Sequence, residues 1–207
     1  MTNQQKKPLL YRIVRTIFYA PFMLVYHPRR VNRAYIPKEG RAVVAGNHKH
    51  ALDPILVDCC TRRTVHTLAK KDLHDGAFGW LFRGVGTIPV DLRAAHNKEA
   101  LRQSVEYLEN DCIVNVSPEA KRNFTDQILL PFKYGAVVMA KRSQSKIIPY
   151  AITGEYRFFG NNLKITFGEP LDVSALTVEE ANVLLYNTIQ ALILQGRDRA
   201  QRGGNSQ

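Results

Sequence analysis

Residues 41–54 read RAVVAGNHKHALDP. The stretch opens as a short apolar, β-branched run, turns polar at Gly46-Asn47-His48, and resumes apolar at helical spacing from Pro54. A strand that leaves through a polar turn into a helix is the repeating unit of α/β domains. The same alternation extends outward. Strands are expected at 65–69, 87–90, 112–116, 146–152 and 163–167. Helices are expected at 99–108, where Leu101, Val105 and Leu108 share a face, and at 135–140. A last helix opens with the capping box formed by Thr177 and Glu180, runs to about Gln195 and should stop at Gly196. No internal repeat or linker interrupts this order. The expected fold is a single α/β domain with a mostly parallel mixed sheet flanked by helices, preceded by an N-terminal amphipathic helix.

The length of 207 residues fits one domain with a full hydrophobic core. Hydrophobic residues make up 45% and charged residues 23%, which excludes disorder and a polytopic membrane protein. The net charge of +11 is uneven: residues 1–41 hold nine Lys/Arg against the single acid Glu39. Such a block calls for an anionic partner, either a lipid surface, a phosphorylated substrate or a nucleic acid. Three cysteines, two of them adjacent as Cys59 and Cys60, offer no pairing framework and fit a reducing compartment.

Within the basic block, residues 9–26 (LLYRIVRTIFYAPFMLVY) are apolar. Arg12 and Arg15 leave too short an uninterrupted run to span a bilayer, which takes ~20 residues. On a helix, Leu9, Leu10, Ile13, Val14, Ile17 and Leu24 share one side, and Arg12, Arg15, Thr16 and Tyr19 the other. That pattern suits a helix lying in an anionic membrane surface. His27-Pro28-Arg29-Arg30 follows where a signal peptide would carry a small-residue cleavage site. The chain thus divides into a basic amphipathic segment (1–30), a folded domain (31–196) and a polar, Gly-rich tail (197–207).

The strand-to-helix turn is also where α/β sheets place their chemistry. His48 and Asp53 lie five residues apart, about 140° around a regular helix, so they meet only across an irregular turn. If they do, the carboxylate holds one imidazole nitrogen and the other serves as a general base for a hydroxyl. Asp53-Pro54 equally fits an N-cap followed by an N1 proline. His48 and His50 lack a third ligand at metal-binding spacing, so no metal is expected. GxSxG, HExxH, GxxxxGK[ST] and GxGxxG are all missing, and so is any nucleic-acid-binding motif. A second polar cluster, SPEAKRN at 117–123, follows the expected strand at 112–116; there Lys121 and Arg122, with Lys133, could hold a phosphate.

Together these segments resemble the glycerolipid acyltransferase family. The family's NHxxxxD motif is intact as Asn47-His48 through Asp53. Its second motif is similar to residues 84–93, ending in Arg93, and its third, usually FPEGTRS, looks like 117–123. Its fourth, a proline-bearing strand, looks like Ile147-Ile148-Pro149. Phe132-Lys-Tyr-Gly-Ala136 and Phe167-Gly-Glu-Pro170 are also similar, and the likeness spans about residues 30–172 in motif order. Two departures stand out. Ala120-Lys121 replaces Gly-Thr, and Leu92 separates Asp91 from Arg93.

The resemblance implies transfer of a fatty acyl group from an acyl carrier protein or coenzyme A thioester to the hydroxyl of a lysophospholipid, 1-acyl-sn-glycerol 3-phosphate. His48 would be the general base and Asp53 its orienter. Asn47, Arg93, Glu119, Lys121 and Arg122 would hold the acceptor. No metal or redox cofactor and no nucleic acid are implied. With the amphipathic segment, this points to a peripheral enzyme on the cytoplasmic face of an anionic membrane. Two alternatives are an acyltransferase for another lipid hydroxyl and a non-catalytic lipid-binding relative.

Overall fold

The computed structural model describes residues 9–91, 93–94 and 97–204, with side chains to 197. Seven strands form one sheet: β1 (Arg29–Val31), β2 (Ala42–Gly46), β3 (Val65–Lys70), β4 (Ile88–Val90), β5 (Ile113–Val116), β6 (Ile147–Thr153) and β7 (Lys164–Phe167). Their order is β1-β7-β6-β2-β5-β3-β4, and every ladder is parallel except β6–β7. β2 lies between β5 and β6, with Val43 opposite Val114 and Ile147. All five residues of β2 and all seven of β6 are buried, as strands covered on both faces must be.

The pleat divides the core in two. Val43, Ala45, Val114, Val116, Ile147 and Ala151 face one layer, made of α5 (Lys98–Glu109), α6 (Gly135–Arg142) and α7 (Val178–Gly204). Ala42, Val44, Ile113, Ile148, Tyr150 and Ile152 face the other, where α1 (Leu9–Tyr26) and α2 (Asp53–Asp58) lie. Two short helices, α3 (Lys71–Asp75) and α4 (Gly79–Gly84), connect β3 to β4.

α1 is docked along its whole length. Tyr11 and Phe22 are buried; the Tyr11 hydroxyl donates to Asp58 Oδ1 at 3.1 Å, and Arg15 donates to the Thr61 carbonyl. Arg30 bridges the Tyr19 hydroxyl and the Cys59 carbonyl, and the Val25 carbonyl accepts the Phe159 N–H. The side carrying Arg15 and Tyr19 is therefore turned inward, and Leu9, Ile13, Ile17 and Leu24 are left exposed to solvent. At 18 residues and about 27 Å, α1 is long and apolar enough to cross a membrane by length and composition. Its contacts instead lay it flat on the domain. The 30/31 division expected from composition falls inside β1, which pairs with β7.

The helix expected to stop at Gly196 continues to Gly204. A Cβ at Gly196 would meet Thr153 Cγ2 at 2.8 Å, so the glycine is where α7 closes on the end of β6. A glycine inside a helix costs only ~1 kcal/mol, which packing of this kind offsets. The expected tail is helical to Gly204, and 205–207 lie outside the described residues.

Candidate active site

Parallel strands bring their carboxyl ends to one edge, and β2, β5 and β6 are neighbours. The segments that follow them therefore meet there, in the place expected for ligand chemistry in open α/β sheets. Gly46 ends β2 beneath the Tyr150 ring, which a Cβ would strike at 2.2 Å. Asn47 then clips this exit to β6: its amide donates to the Ile152 carbonyl at 3.0 Å and accepts the Ile152 N–H at 2.7 Å. With both ends of its side chain used and only 6% exposed, Asn47 shapes the turn.

The irregular turn required for His48 and Asp53 to meet is present. His48 Nδ1 lies 2.8 Å from Asp53 Oδ2. The same oxygen accepts the backbone N–H of Lys49 at 2.7 Å and of His50 at 2.9 Å, so the carboxylate folds the turn back on itself. An ionised carboxylate can only accept, which puts the imidazole proton on Nδ1 and leaves the lone pair on Nε2. Asp53 is 1% exposed, and its remaining oxygen accepts the Tyr156 hydroxyl at 2.7 Å.

Glu119 follows β5 and is 3% exposed. Oε1 accepts the His48 N–H at 2.9 Å and Oε2 the Leu130 N–H at 2.8 Å. Burial pushes its carboxyl up, and the Leu130 and His48 amides pull it down. Both oxygens face inward onto the protein's own backbone. With both oxygens so engaged Glu119 braces the His48 turn, and the residue also stands on the wall of the cavity beside His48. The Asn123 N–H, donated to the His48 carbonyl at 3.1 Å, ties the same two segments. Between them Ala120 has φ +58°, the left-handed region that glycine occupies without penalty.

A cavity of about 160 Å³ opens beside His48. Its walls include Lys49, Asn123, Thr125, Thr153 and, from α7, Arg197. Burial lowers the Lys49 ammonium's pKa and Arg197 adds to this, while Glu155 and Asp53 oppose it; Lys49 Nζ donates to the Gly154 carbonyl at 2.5 Å. A larger depression of about 380 Å³, lined by Arg102, Glu106 and Arg142 among others, has no catalytic pair on its walls.

The remaining sequence candidates stand outside this cavity. Lys121 and Arg122 are exposed next to Asn123, with the Arg122 guanidinium 5.1 Å over the Phe124 ring. Lys133 is exposed and its backbone N–H donates to the Pro118 carbonyl. Arg93 is exposed after β4, the edge strand three positions from β2, hence about 14 Å along the sheet at ~4.8 Å per strand. Leu92 beside it lies outside the described residues. Lys49 is overlooked in the sequence although it follows His48 directly in the chain, whereas Tyr156 and Arg197 carry no signal in the sequence and reach the site through tertiary contact alone.

A buried aspartate holds a histidine at the carboxyl edge of a parallel sheet, beside a cavity lined by Lys49, Glu119 and Arg197, an arrangement suited to general acid–base chemistry. The profile of the Acyltransferase family matches residues 27–153, and the chain belongs to that family. It is similar to the 1-acyl-sn-glycerol-3-phosphate acyltransferase of Bacillus subtilis (strain 168), 26% identical over 146 residues, 68% of this chain and 71% of that protein. An enzyme of the same name from Helicobacter pylori (strain J99) is 27% identical over 135 residues; the match covers 64% of this chain and 54% of that one. The fold is that of the crystal structure of the 1-acyl-sn-glycerophosphate (LPA) acyltransferase PlsC from Thermotoga maritima. That comparison has a TM-score of 0.69 at 23% identity and covers 87% of this chain and 77% of the other.

Proposed function

We propose that this enzyme transfers a fatty acyl group from an acyl carrier protein or coenzyme A thioester to the free hydroxyl of 1-acyl-sn-glycerol 3-phosphate. The observation that carries the reading is the 2.8 Å contact of His48 with Asp53 at the wall of a cavity that also holds Lys49 and Arg197. His48 Nε2 takes the hydroxyl proton as the oxygen attacks the thioester carbonyl. The tetrahedral intermediate collapses, the C–S bond breaks, and the imidazolium returns its proton to the departing thiolate. Asp53 holds the imidazole and balances its transient charge. The thioester is already activated, so the reaction calls for no metal or redox cofactor.

In this acceptor the phosphorus lies four bonds from the reacting oxygen, about 5 Å at ~1.5 Å per bond with angles counted. Its anchors must therefore stand close to His48. Lys49 and Arg197 meet that condition on the cavity wall, and Lys121 and Arg122 adjoin it past Asn123. Arg93 would have to reach from about 14 Å along the sheet. Asn47 and Glu119 act by holding the turn. The exposed Leu9, Ile13, Ile17 and Leu24 of α1 support peripheral attachment to an anionic membrane, on the cytoplasmic face where the donors are made.

The test is incubation of the purified protein with radiolabelled acyl thioester, acyl carrier protein and coenzyme A in separate reactions, and lysophosphatidate. Products are read by thin-layer chromatography. Wild type should form phosphatidate, and His48→Ala should lose ~10²–10⁴-fold. Product from another lysolipid but not from lysophosphatidate would refute the acceptor. A fully active His48→Ala would refute the mechanism.

A further inference from the structure

Tyr156 lies in the connection between β6 and β7, 103 residues from Asp53 and past the end of the matched family segment. Its hydroxyl is 2.7 Å from Asp53 Oδ1, the carboxylate oxygen that His48 does not use. The ring is held on several sides. His50 stacks on it at 4.6 Å and 24°, Tyr26 of α1 meets it edge-on at 5.7 Å, and Phe22 of α1 lies 6.4 Å away. Clamped in this way, the hydroxyl is directed at the carboxylate. Burial and the Asp53 carboxylate both push the phenol's pKa upward, so it remains a donor throughout the working pH range.

We infer that Tyr156 is a positioning residue for acyl transfer: its hydrogen bond to Asp53 limits how much of the carboxylate's charge falls on His48. Asp53 then makes four hydrogen bonds: three on Oδ2, from His48, Lys49 and His50, and one on Oδ1, from Tyr156. Each donor takes a share of the same negative charge. If the phenol donor is removed, more of that charge is left to the imidazole. The imidazolium is then held more firmly, and the neutral base that must accept the substrate's proton is scarcer at a given pH.

The other charged and titratable groups around Asp53 and His48 stay in place in this comparison. They are Lys49 and His50 on the same turn, Glu119 after β5, Tyr150 on β6, Cys60 after α2, and Glu155 and Arg197 around Lys49. α1 supplies two of the rings that aim the hydroxyl, so the helix with the exposed apolar stripe also supports the aspartate's outer partner.

Tyr156→Phe keeps the ring and removes only the donor. The test rests partly on the acceptor proposed above, so it has two arms. In the first, kcat/KM for lysophosphatidate is measured against pH. The acid limb should move upward by about 0.5–1 unit, which is a ~3–10-fold loss on that limb, with the high-pH plateau within about twofold of wild type. In the second, the His48 ring is titrated by NMR in the ligand-free proteins, and its midpoint should rise by the same amount. An absent wild-type turnover refutes the acceptor and leaves the second arm to decide on Tyr156. An unmoved His48 midpoint, or a rate lowered equally at every pH, overturns the positioning role.

Discussion

Ala120 pays a conformational cost that a single substitution can remove. At φ +58°, its Cβ crowds the following carbonyl, which costs an L-residue about 1–2 kcal/mol. Its N–H donates to the Ser117 carbonyl at 3.0 Å, and Glu119 on one side and Asn123 beyond tie the loop to the His48 turn. The conformation is therefore imposed by its neighbours and cannot relax. Glycine at this position loses the steric penalty but adds about 0.4–1 kcal/mol of freedom to the unfolded chain. The difference leaves Ala120→Gly stabilised by about 0.5–1 kcal/mol. In a chain of this size that raises Tm by roughly 1–4 °C, at ~2–4 °C per kcal/mol. Gln144, at φ +51° just after α6, is a second left-handed residue far from the site, so Gln144→Gly should show the same sign. Differential scanning calorimetry reads both. If Gln144→Gly gains and Ala120→Gly loses stability, the strain assigned to the site loop is wrong.

Three further outcomes follow from particular contacts. In Glu119→Gln, one of the two buried N–H groups, of His48 or Leu130, faces an amide donor in place of an oxygen. kcat should fall by about tenfold or more with acceptor KM unchanged; a change in KM alone would put the side chain on the substrate. Burial pushes the Asp58 carboxyl from its ordinary 3.8 up to about 7, so the folded state holds that proton more tightly than the unfolded chain. Its stabilising contribution is complete below the ordinary value and lost as pH rises through about 7. Tm should fall from pH 5 to 8, and Asp58→Asn should flatten that slope; an equal slope in the variant would exclude Asp58 as its source. Replacing Leu9, Ile13, Ile17 and Leu24 together by glutamine should leave Tm within a few degrees, because all four are exposed, yet release the protein from anionic vesicles. Undiminished co-sedimentation would refute attachment through this face. Deleting residues 1–30 is the harsher change, since it uncovers the Phe22 and Tyr11 positions of the core and removes most of β1.

What could be read from the chain was local. The strands at β2, β5 and β6 are dense in β-branched residues because both faces are buried, and that density is visible in any short window. His48 and Asp53 were legible as a pair because five residues separate them and the turn between is polar. β1 was not: Arg-Arg-Val has no strand pattern, and its partner β7 begins at Lys164, far along the chain. The periodicity of α1 grouped Leu9, Ile13, Ile17 and Leu24 on one side, but Arg12 and Thr16, grouped with Arg15 and Tyr19, are exposed while Leu10 and Val14 are half-buried. It could not say which side meets the domain. Tyr11 and Phe22, which do, are set by what α2, β3 and Tyr156 present to them.

The site divides along the same line. A carboxylate in a polar loop reads as a ligand group from sequence, but Glu119 turns toward two backbone N–H groups, and only the folded chain aims those N–H groups at it. Gly196 makes the point most sharply. Local propensity marks it as a helix stop, yet α7 continues through it because the missing Cβ leaves the room that Thr153 occupies. Had the helix ended there, Arg197 would not stand on the wall of the cavity beside His48. A residue chosen for having no side chain thus sets the position of a cation one step further on, and that dependence runs through the packing of α7 on β6 with no trace in the local pattern of either.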